Sequence, residues 1–242
     1  MRTLFISDLH LEDGRPQTSA LFDAFLRGPA READAVYILG DLFELWIGDD
    51  VLSATARDAA AGTAALRERG IPCYFLHGNR DFLLGQDFAQ RAGLQLLPET
   101  FVADLYGTPT LLLHGDTLCT DDVGYQAFRQ RVRSAEFTEM FLQLSPERRL
   151  EMAHNARDAS HRYTARAEVF NIMDVNECAV RDAFRKHGTQ RMIHGHTHRP
   201  AFHQHDLGGE ALGERTVLAD WHTVGACLSV SPEGYEILKI ET

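Results

Sequence analysis

Residues 3–10 read TLFISDLH, a short run of apolar and β-branched residues that ends on an aspartate and a histidine. The run suits a buried strand. Polar residues at its carboxyl end stand where open α/β sheets place their ligands. The same pattern recurs four times. AVYIL at 35–39 leads into Gly40 and Asp41, and CYFL at 73–76 leads through His77 and Gly78 into Asn79. TLLL at 110–113 closes on His114, and RMI at 191–193 runs into His194, Gly195, His196, Thr197 and His198. Segments between several of these runs, such as LFDAFLR and DAAAGTAALRERG, carry helical spacing. The alternation predicts an α/β fold with its polar strand ends gathered at one locus.

Asp8 and His10, two apart on a segment read as extended, project to the same face, as do His196 and His198 if the chain stays extended there. Glycines before Asp41, Asn79 and His196 allow sharp turns and close backbone approach. Together these ends offer two aspartates, one asparagine and four histidines. That set is too large for one tetrahedral ion, and it suits two ions sharing a carboxylate. Mixed imidazole and carboxylate donors favour Mn, Fe, Zn or Co over Mg or Ca. His77, His154, His161, His194 and His222 are read as structural.

With 44% apolar and 24% charged residues, the 242-residue chain can bury one sizeable core, so a single domain over 1–242 is expected. Its formal charge of -11 argues against a general nucleic-acid binder. Four scattered cysteines contain no C-x-x-C pair, which suggests reduced thiols and a cytoplasmic protein. The first residues run straight into a strand pattern with no signal-peptide layout, and no stretch is apolar and long enough to cross a bilayer. After residue 200, TVLAD, ACLSVS and YEILKI read as antiparallel hairpins completing a sheet, and DLGGEALGE at 206–214 reads as a surface loop.

Residues 121–170 break the rhythm, because two long helical stretches follow one another with no strand between. They read as a helical cap inserted into the domain. From Tyr125 to Phe170 there are eight Arg, no Lys and six Asp or Glu, a balance of +2 in a chain of -11. The same segment carries Tyr125, Phe128, Phe137, Met140 and Phe141. An ordinary amphipathic helical pair would account for this composition, and so would a binding cap.

The motifs D-x-H, GD, GN, H and G-H-x-H, in this order over residues 8–198, resemble the calcineurin-like metallophosphoesterase superfamily. The resemblance implies a four-layer α/β/β/α sandwich. It also implies two Mn2+ per chain, one held by Asp8, His10, Asp41 and His198 and the other by Asp41, Asn79, His114 and His196. A hydroxide bridging the metals would attack phosphorus in line. Most members resemble GNH followed by an acidic residue, whereas this chain reads GNRD with Arg80 third. An arginine cannot protonate a leaving group, but it can fork onto phosphate oxygens. Arg80 therefore points to a leaving group that departs without a proton, such as a phosphate monoester released from a diphosphate; the other reading pairs Arg80 with Asp81 in a solvated turn.

Longer strings narrow the resemblance: SDLHL, GDLFELWIGDD, LHGNRDFLLG, LLLHGDTLCTDD, IMDVN and IHGHTHRP. As a set they are similar to the bacterial UDP-2,3-diacylglucosamine diphosphatases of the lipid A pathway, which release UMP and diacylglucosamine 1-phosphate. That likeness implies a cap that holds acyl chains, with Trp46, Phe82, Tyr125, Phe128, Phe137, Met140 and Phe141 as candidate lipid contacts. It makes the cap arginines candidate phosphate or membrane contacts. The substrate set carried over is Asn79, Arg80, Asp122, Ser160, Thr164 and His196, with Arg166 or Arg157 standing in for a family lysine near position 167. Trp46 either faces lipid or packs in the core. A peripheral enzyme on the cytoplasmic face of the inner membrane is implied. Another nucleotide-diphosphate pyrophosphatase and a metal-free scaffold remain the rival readings.

Overall fold

β1 (Thr3–Ile6), β2 (Ala35–Leu39) and β3 (Cys73–Leu76) are almost wholly buried in the computed structural model, which describes residues 1–164, 173–222 and 224–242. Runs without polar alternation form such strands when both faces of a sheet are covered. The three pair in parallel, and β3 also pairs in parallel with β4 (Leu94–Leu96). Antiparallel β10 (Gly225–Ser231) and β11 (Gly234–Ile240) complete a six-stranded sheet in the order β11-β10-β1-β2-β3-β4.

A second sheet holds β5 (Thr100–Leu105), β6 (Thr108–Leu113), β7 (Arg191–His194), β8 (Ala201–Gly208) and β9 (Ala211–Val217), in the order β5-β6-β7-β9-β8. Strand alternation then sorts the core into three slabs. Phe5, Leu112, Ile193 and Leu228 meet between the sheets. Their neighbours Leu4 and Ile6 face outward onto α1 (Pro16–Arg27), α2 (Ala54–Glu68) and α3 (Gln86–Ala92). Leu111, Leu113 and Met192 face the other way, onto Val180 and Phe184 of α7 (Glu177–His187). These are the four layers, α/β/β/α, of the expected fold class.

Two expectations change. The hairpins after residue 200 complete two sheets, β8 and β9 in one and β10 and β11 in the other. Residues 206–214 are for the most part strand, turning at Gly208 and Gly209 with φ of 95° and 68°. Edge strand β8 is half exposed, so its polar residues concealed its period in the sequence.

Among the described residues, three α-helices lie between β6 and α7: α4 (Val123–Val132), α5 (Ala135–Leu142) and α6 (Pro146–Thr164). What read as one long first helix is two. Ser134 accepts the Phe137 N–H at 3.2 Å and starts α5, and Asp122 starts α4 by accepting the Tyr125 N–H at 2.9 Å. The far boundary of the insertion, residue 170, lies outside the described residues.

Candidate active site

The carboxyl ends of β1 to β3 in one sheet and of β6 and β7 in the other turn into a single cleft. They do not stay extended. Asp8, His10, Asp41, His196 and His198 all have φ between 52° and 67°. Left-handed residues at functional strand ends cost about 1–3 kcal/mol each and persist where surrounding bonds over-determine them. Here Asp8 N–H donates to Gly40 O at 3.1 Å, His10 N–H to Asp41 O at 3.0 Å and Leu11 N–H to Leu42 O at 2.9 Å. Two glycines are needed for close approach: a Cβ on Gly78 would collide with Asp41 Oδ1, and one on Gly195 with Asp8 Oδ2.

All seven predicted side chains are brought together. His10 Nε2 and His198 Nε2 lie 3.4 Å apart, and His198 Nε2 lies 3.3 Å from Asp8 Oδ1. Asn79 Oδ1 lies 3.0 Å from both His114 Nε2 and His196 Nδ1. Asp41 stands between these groups, with Oδ2 3.9 Å from His10 Nε2 and 3.7 Å from His114 Nε2. Asp8, His10 and His198 can meet one ion, as can Asp8, Asp41 and His114. The donor chemistry fits a divalent cation. Asp8 Oδ1 is buried with no hydrogen-bond donor, while Oδ2 accepts the Ser7 hydroxyl at 2.6 Å and the His196 N–H at 2.9 Å.

Burial, reinforced by the charge of His114, pushes His196 down to about 4, so its ring is a neutral donor. Burial also opposes a charge on His198, but its close contacts with the Asp220 and Asp8 carboxylates outweigh it and raise that ring to about 10. A cation facing His198 Nε2 would have to displace that proton.

Arg80 does not pair with Asp81. Asp81 is fully buried and accepts backbone N–H bonds from Gly78 (2.9 Å), Leu42 (2.7 Å), Asp41 (3.2 Å) and Phe43 (3.4 Å), tying the GN turn to the GD turn. Arg80 donates its backbone N–H to Asp41 Oδ1 at 2.8 Å, and its side-chain Nε has no hydrogen-bond partner. The Arg80 main chain is thus tied to Asp41, while its guanidinium Nε faces Glu44 Oε1 at 3.9 Å.

The cap side contains groups that the motifs did not reveal. Glu44 is buried, with one oxygen 3.0 Å from His10 Nδ1 and the other 2.9 Å from Arg157 of α6 and 3.9 Å from Arg80. Burial alone would raise its pKa, yet the contacts with His10, Arg80 and Arg157 bring it to about 2. Asp116 accepts the Tyr125 hydroxyl at 2.8 Å and Arg129 Nε at 2.7 Å, docking α4 on the rim. Asp220 Oδ2 lies 3.0 Å from His198 Nδ1. Only tertiary contact marks these three acids: Glu44 and Asp116 fall inside the longer strings GDLFELWIGDD and LLLHGDTLCTDD, where nothing local assigns them a partner, and Asp220 lies outside every string that carries the resemblance. Of the histidines read as structural, His77 binds Leu84 O at 2.7 Å and His194 binds Gly195 O at 2.9 Å. His222, by contrast, stacks on His10 with ring centroids 5.6 Å apart.

The lipid-contact candidates divide. Trp46 is 6% exposed and packs on Phe43 and Phe88 at 4.8 and 4.6 Å, with its indole N–H on Asp49, so it belongs to the core and the lipid-facing reading is corrected. The apolar run LFELW closes onto α3, and nothing in its composition distinguished a core turn from an exposed one. Tyr125 faces His196, with ring centroids 6.1 Å apart, and Phe82 lies under Arg133. Phe137 stacks on the buried Phe141, while Phe128 and Met140 are exposed. Asp122 is buried, capping α4 and accepting the Tyr163 hydroxyl at 3.1 Å. Ser160 lies half-buried on α6. The side chain of Thr164 and all of Arg166 lie outside the described residues.

The calcineurin-like phosphoesterase family matches residues 1–200. A UDP-2,3-diacylglucosamine hydrolase of Stenotrophomonas maltophilia (strain K279a) is 49% identical, covering 98% of this chain and 98% of its own length. The protein of that name from Pectobacterium carotovorum subsp. carotovorum (strain PC1) is 50% identical over 99% of each chain. One from Escherichia coli O81 (strain ED1a) is 49% identical over 98% of each.

Proposed function

The chain belongs to the calcineurin-like phosphoesterase family, and on that premise we propose that it hydrolyses UDP-2,3-diacylglucosamine at the diphosphate, releasing UMP and 2,3-diacylglucosamine 1-phosphate for lipid A synthesis. The observation that carries this reading is the near-complete length over which relatives of that activity align at about half identity. Asp8, His10, Asp41 and His198 would hold one divalent cation, and Asp41, Asn79, His114 and His196 a second; manganese is assigned by the family resemblance and suits the mixed donors. Two such ions supply a nucleophile from water at neutral pH and neutralise charge on the phosphoryl oxygens.

The remaining chemistry belongs to the protein. Asp41 faces both donor groups and aligns them. Arg80, held by its backbone on Asp41, receives phosphate oxygens in its fork. No group need protonate the departing phosphate monoester, which agrees with an arginine where a histidine would otherwise stand. Arg157, on the cap side of the same cleft, meets the substrate's second phosphate or its headgroup, together with Ser160, Asp122 and, on the same helix, Thr164. Arg166 is the alternative cation.

We assign 1–242 to one phosphoesterase domain and 121–170 to its cap. Phe128, Met140, Leu142 and Leu150 of the cap are exposed, and this reading gives them to the acyl chains. Among the described residues no helix is long and apolar enough to cross a membrane. Apolar cap surface and neighbouring arginines support reversible attachment to the cytoplasmic face of the inner membrane.

The test is purified protein with Mn2+ and either UDP-2,3-diacylglucosamine in mixed micelles or UDP-N-acetylglucosamine, with UMP measured by chromatography. UMP from the diacyl substrate alone is the expected result. Equal release from both would make the protein a soluble nucleotide pyrophosphatase, and none from either would leave a scaffold.

A further inference from the structure

Two histidines of the first donor group share an arrangement that their sequence neighbours do not predict. His10 Nδ1 lies 3.0 Å from Glu44 Oε2, a close contact bent from the ideal hydrogen-bond line, and His198 Nδ1 lies 3.0 Å from Asp220 Oδ2. Both rings therefore turn Nε2 toward the same point, where the two nitrogens stand 3.4 Å apart. The second group is built differently. His114 Nδ1 faces the carbonyl of Leu39 at 2.8 Å, and His196 turns Nδ1 inward to Asn79. Among the described residues, both imidazoles of the first group have a carboxylate at Nδ1.

Both carboxylates ride on segments tied to the loop that carries Asp8 and His10. Glu44 N–H donates to Leu11 O at 3.1 Å, and Trp221 N–H, next to Asp220, donates to Asp8 O at 3.2 Å. Trp221 is fully buried, edge-on to Phe22 and Phe25. A carboxylate held against Nδ1 fixes an imidazole's tautomer and orientation and raises its basicity as a ligand. Glu44 has a further contact, because its other oxygen meets Arg157 of the cap at 2.9 Å.

We infer that Glu44 and Asp220 are positioning residues that aim His10 and His198 at one cation and make that position the tighter of the two, and that Glu44 alone also couples this position to the seating of the cap. The inference rests on the two-ion reading above. A third cation at His198, Asp220 and His222 is the rival use of Asp220, since those three also converge. The Arg15 guanidinium, 3.2 Å from His222 Nδ1, places positive charge there and opposes it.

The experiment is Mn2+ titration of the full-length protein, following free Mn2+ by electron paramagnetic resonance, for wild type, Glu44→Gln and Asp220→Asn. Wild type is expected to bind two ions in unequal steps. Each variant weakens the tighter step about 10- to 100-fold and leaves the other in place. Melting temperatures with and without Mn2+ separate aiming from scaffolding, since loss of aiming lowers the metal-induced rise while the metal-free value holds. Glu44→Gln also accelerates hydrogen exchange in α6 and raises KM, whereas Asp220→Asn does neither. No binding by wild type overturns the two-ion reading and this inference with it. Two ions bound by wild type, with both variants matching its isotherm, overturn the inference alone. A third ion that disappears in His222→Ala makes Asp220 a ligand and likewise overturns it.

Discussion

The rim and the cap are built on opposite principles. Rim side chains are placed by backbone: left-handed residues at 8, 10, 41, 196 and 198, glycines where no Cβ fits, and a buried aspartate, Asp81, bonded to four main-chain N–H groups. The cap is attached by charge. Arg129 and Arg133 meet Asp116 and Glu99, Arg149 meets Asp50, and Arg157 meets Glu44. Of its apolar side chains, only Val132 and Phe141 are buried among the described residues of α4 and α5. Backbone bonds inside a core are insensitive to salt, whereas ion pairs with an exposed member, such as Arg129–Glu99 and Arg149–Asp50, are screened. The comparison teaches that the clustered donors are fixed by main-chain geometry, whereas the helices beside them are held by side-chain charge.

Removing the rim's shared carboxylate should have the largest effect. Asp41→Ala faces both donor groups with a gap, and activity should fall by more than the roughly hundredfold typical of an outer-shell change, with bound Mn2+ counted by equilibrium dialysis. Retention of both ions would mean that the rim does not depend on this residue. Chelation with EDTA should abolish UMP release, and added Mn2+ should restore it.

Trp46→Ala comes next and tests where the rim's support ends. A buried aromatic truncated in a core costs about 3–5 kcal/mol, so the urea midpoint should drop. Rates on acylated and short substrates should change alike in the protein that remains folded. A selective loss on the acylated substrate would return Trp46 to the lipid surface.

Arg80→His restores the residue found in most superfamily motifs, yet it removes the fork proposed to meet a diphosphate. Its kcat/KM should fall by about 10²- to 10³-fold, the scale of one lost charge-stabilising donor. An unchanged rate would show that the leaving group accepts a proton after all.

The smallest effect belongs to the cap's anchors. Arg149 is buried and also donates to Ile47 O at 2.6 Å, while its partner Asp50 is mostly exposed. Arg149→Ala should therefore loosen α6 by about 1–3 kcal/mol, the value of charge-assisted bonds. Hydrogen exchange should rise in α6 and stay unchanged in β1. One molar salt should shift exchange the same way in wild type, by a smaller amount; equal shifts in β1 would erase the distinction between the two regions.

Much of this was legible beforehand, for identifiable reasons. The five strand ends announced themselves because fully buried strands have continuous apolar runs and their ligands follow at once in the chain. The half-exposed β8 and three-residue β4 left no such trace. The seven donors were legible through local words, but their backbone conformation was not: Asp8 and His10 were expected on an extended segment and instead stand in left-handed turns. Trp46 showed the limit most plainly, since the same apolar residues serve a core turn and a lipid contact. Residues 165–172, which include Arg166, add nothing to the comparison.

By itself the sequence determined the α/β alternation, the order of metal-type donors and the arginine in place of a histidine, because each is a local pattern of hydrophobicity or chemical type. Tertiary structure alone decided that Glu44 and Asp220 back the imidazoles, that Asp116 and Glu44 receive the cap arginines, and that Trp46 is core. Those facts depend on contacts between residues far apart in the chain. A carboxylate acquires its task only when folding removes its water and leaves a histidine or a guanidinium as its partner.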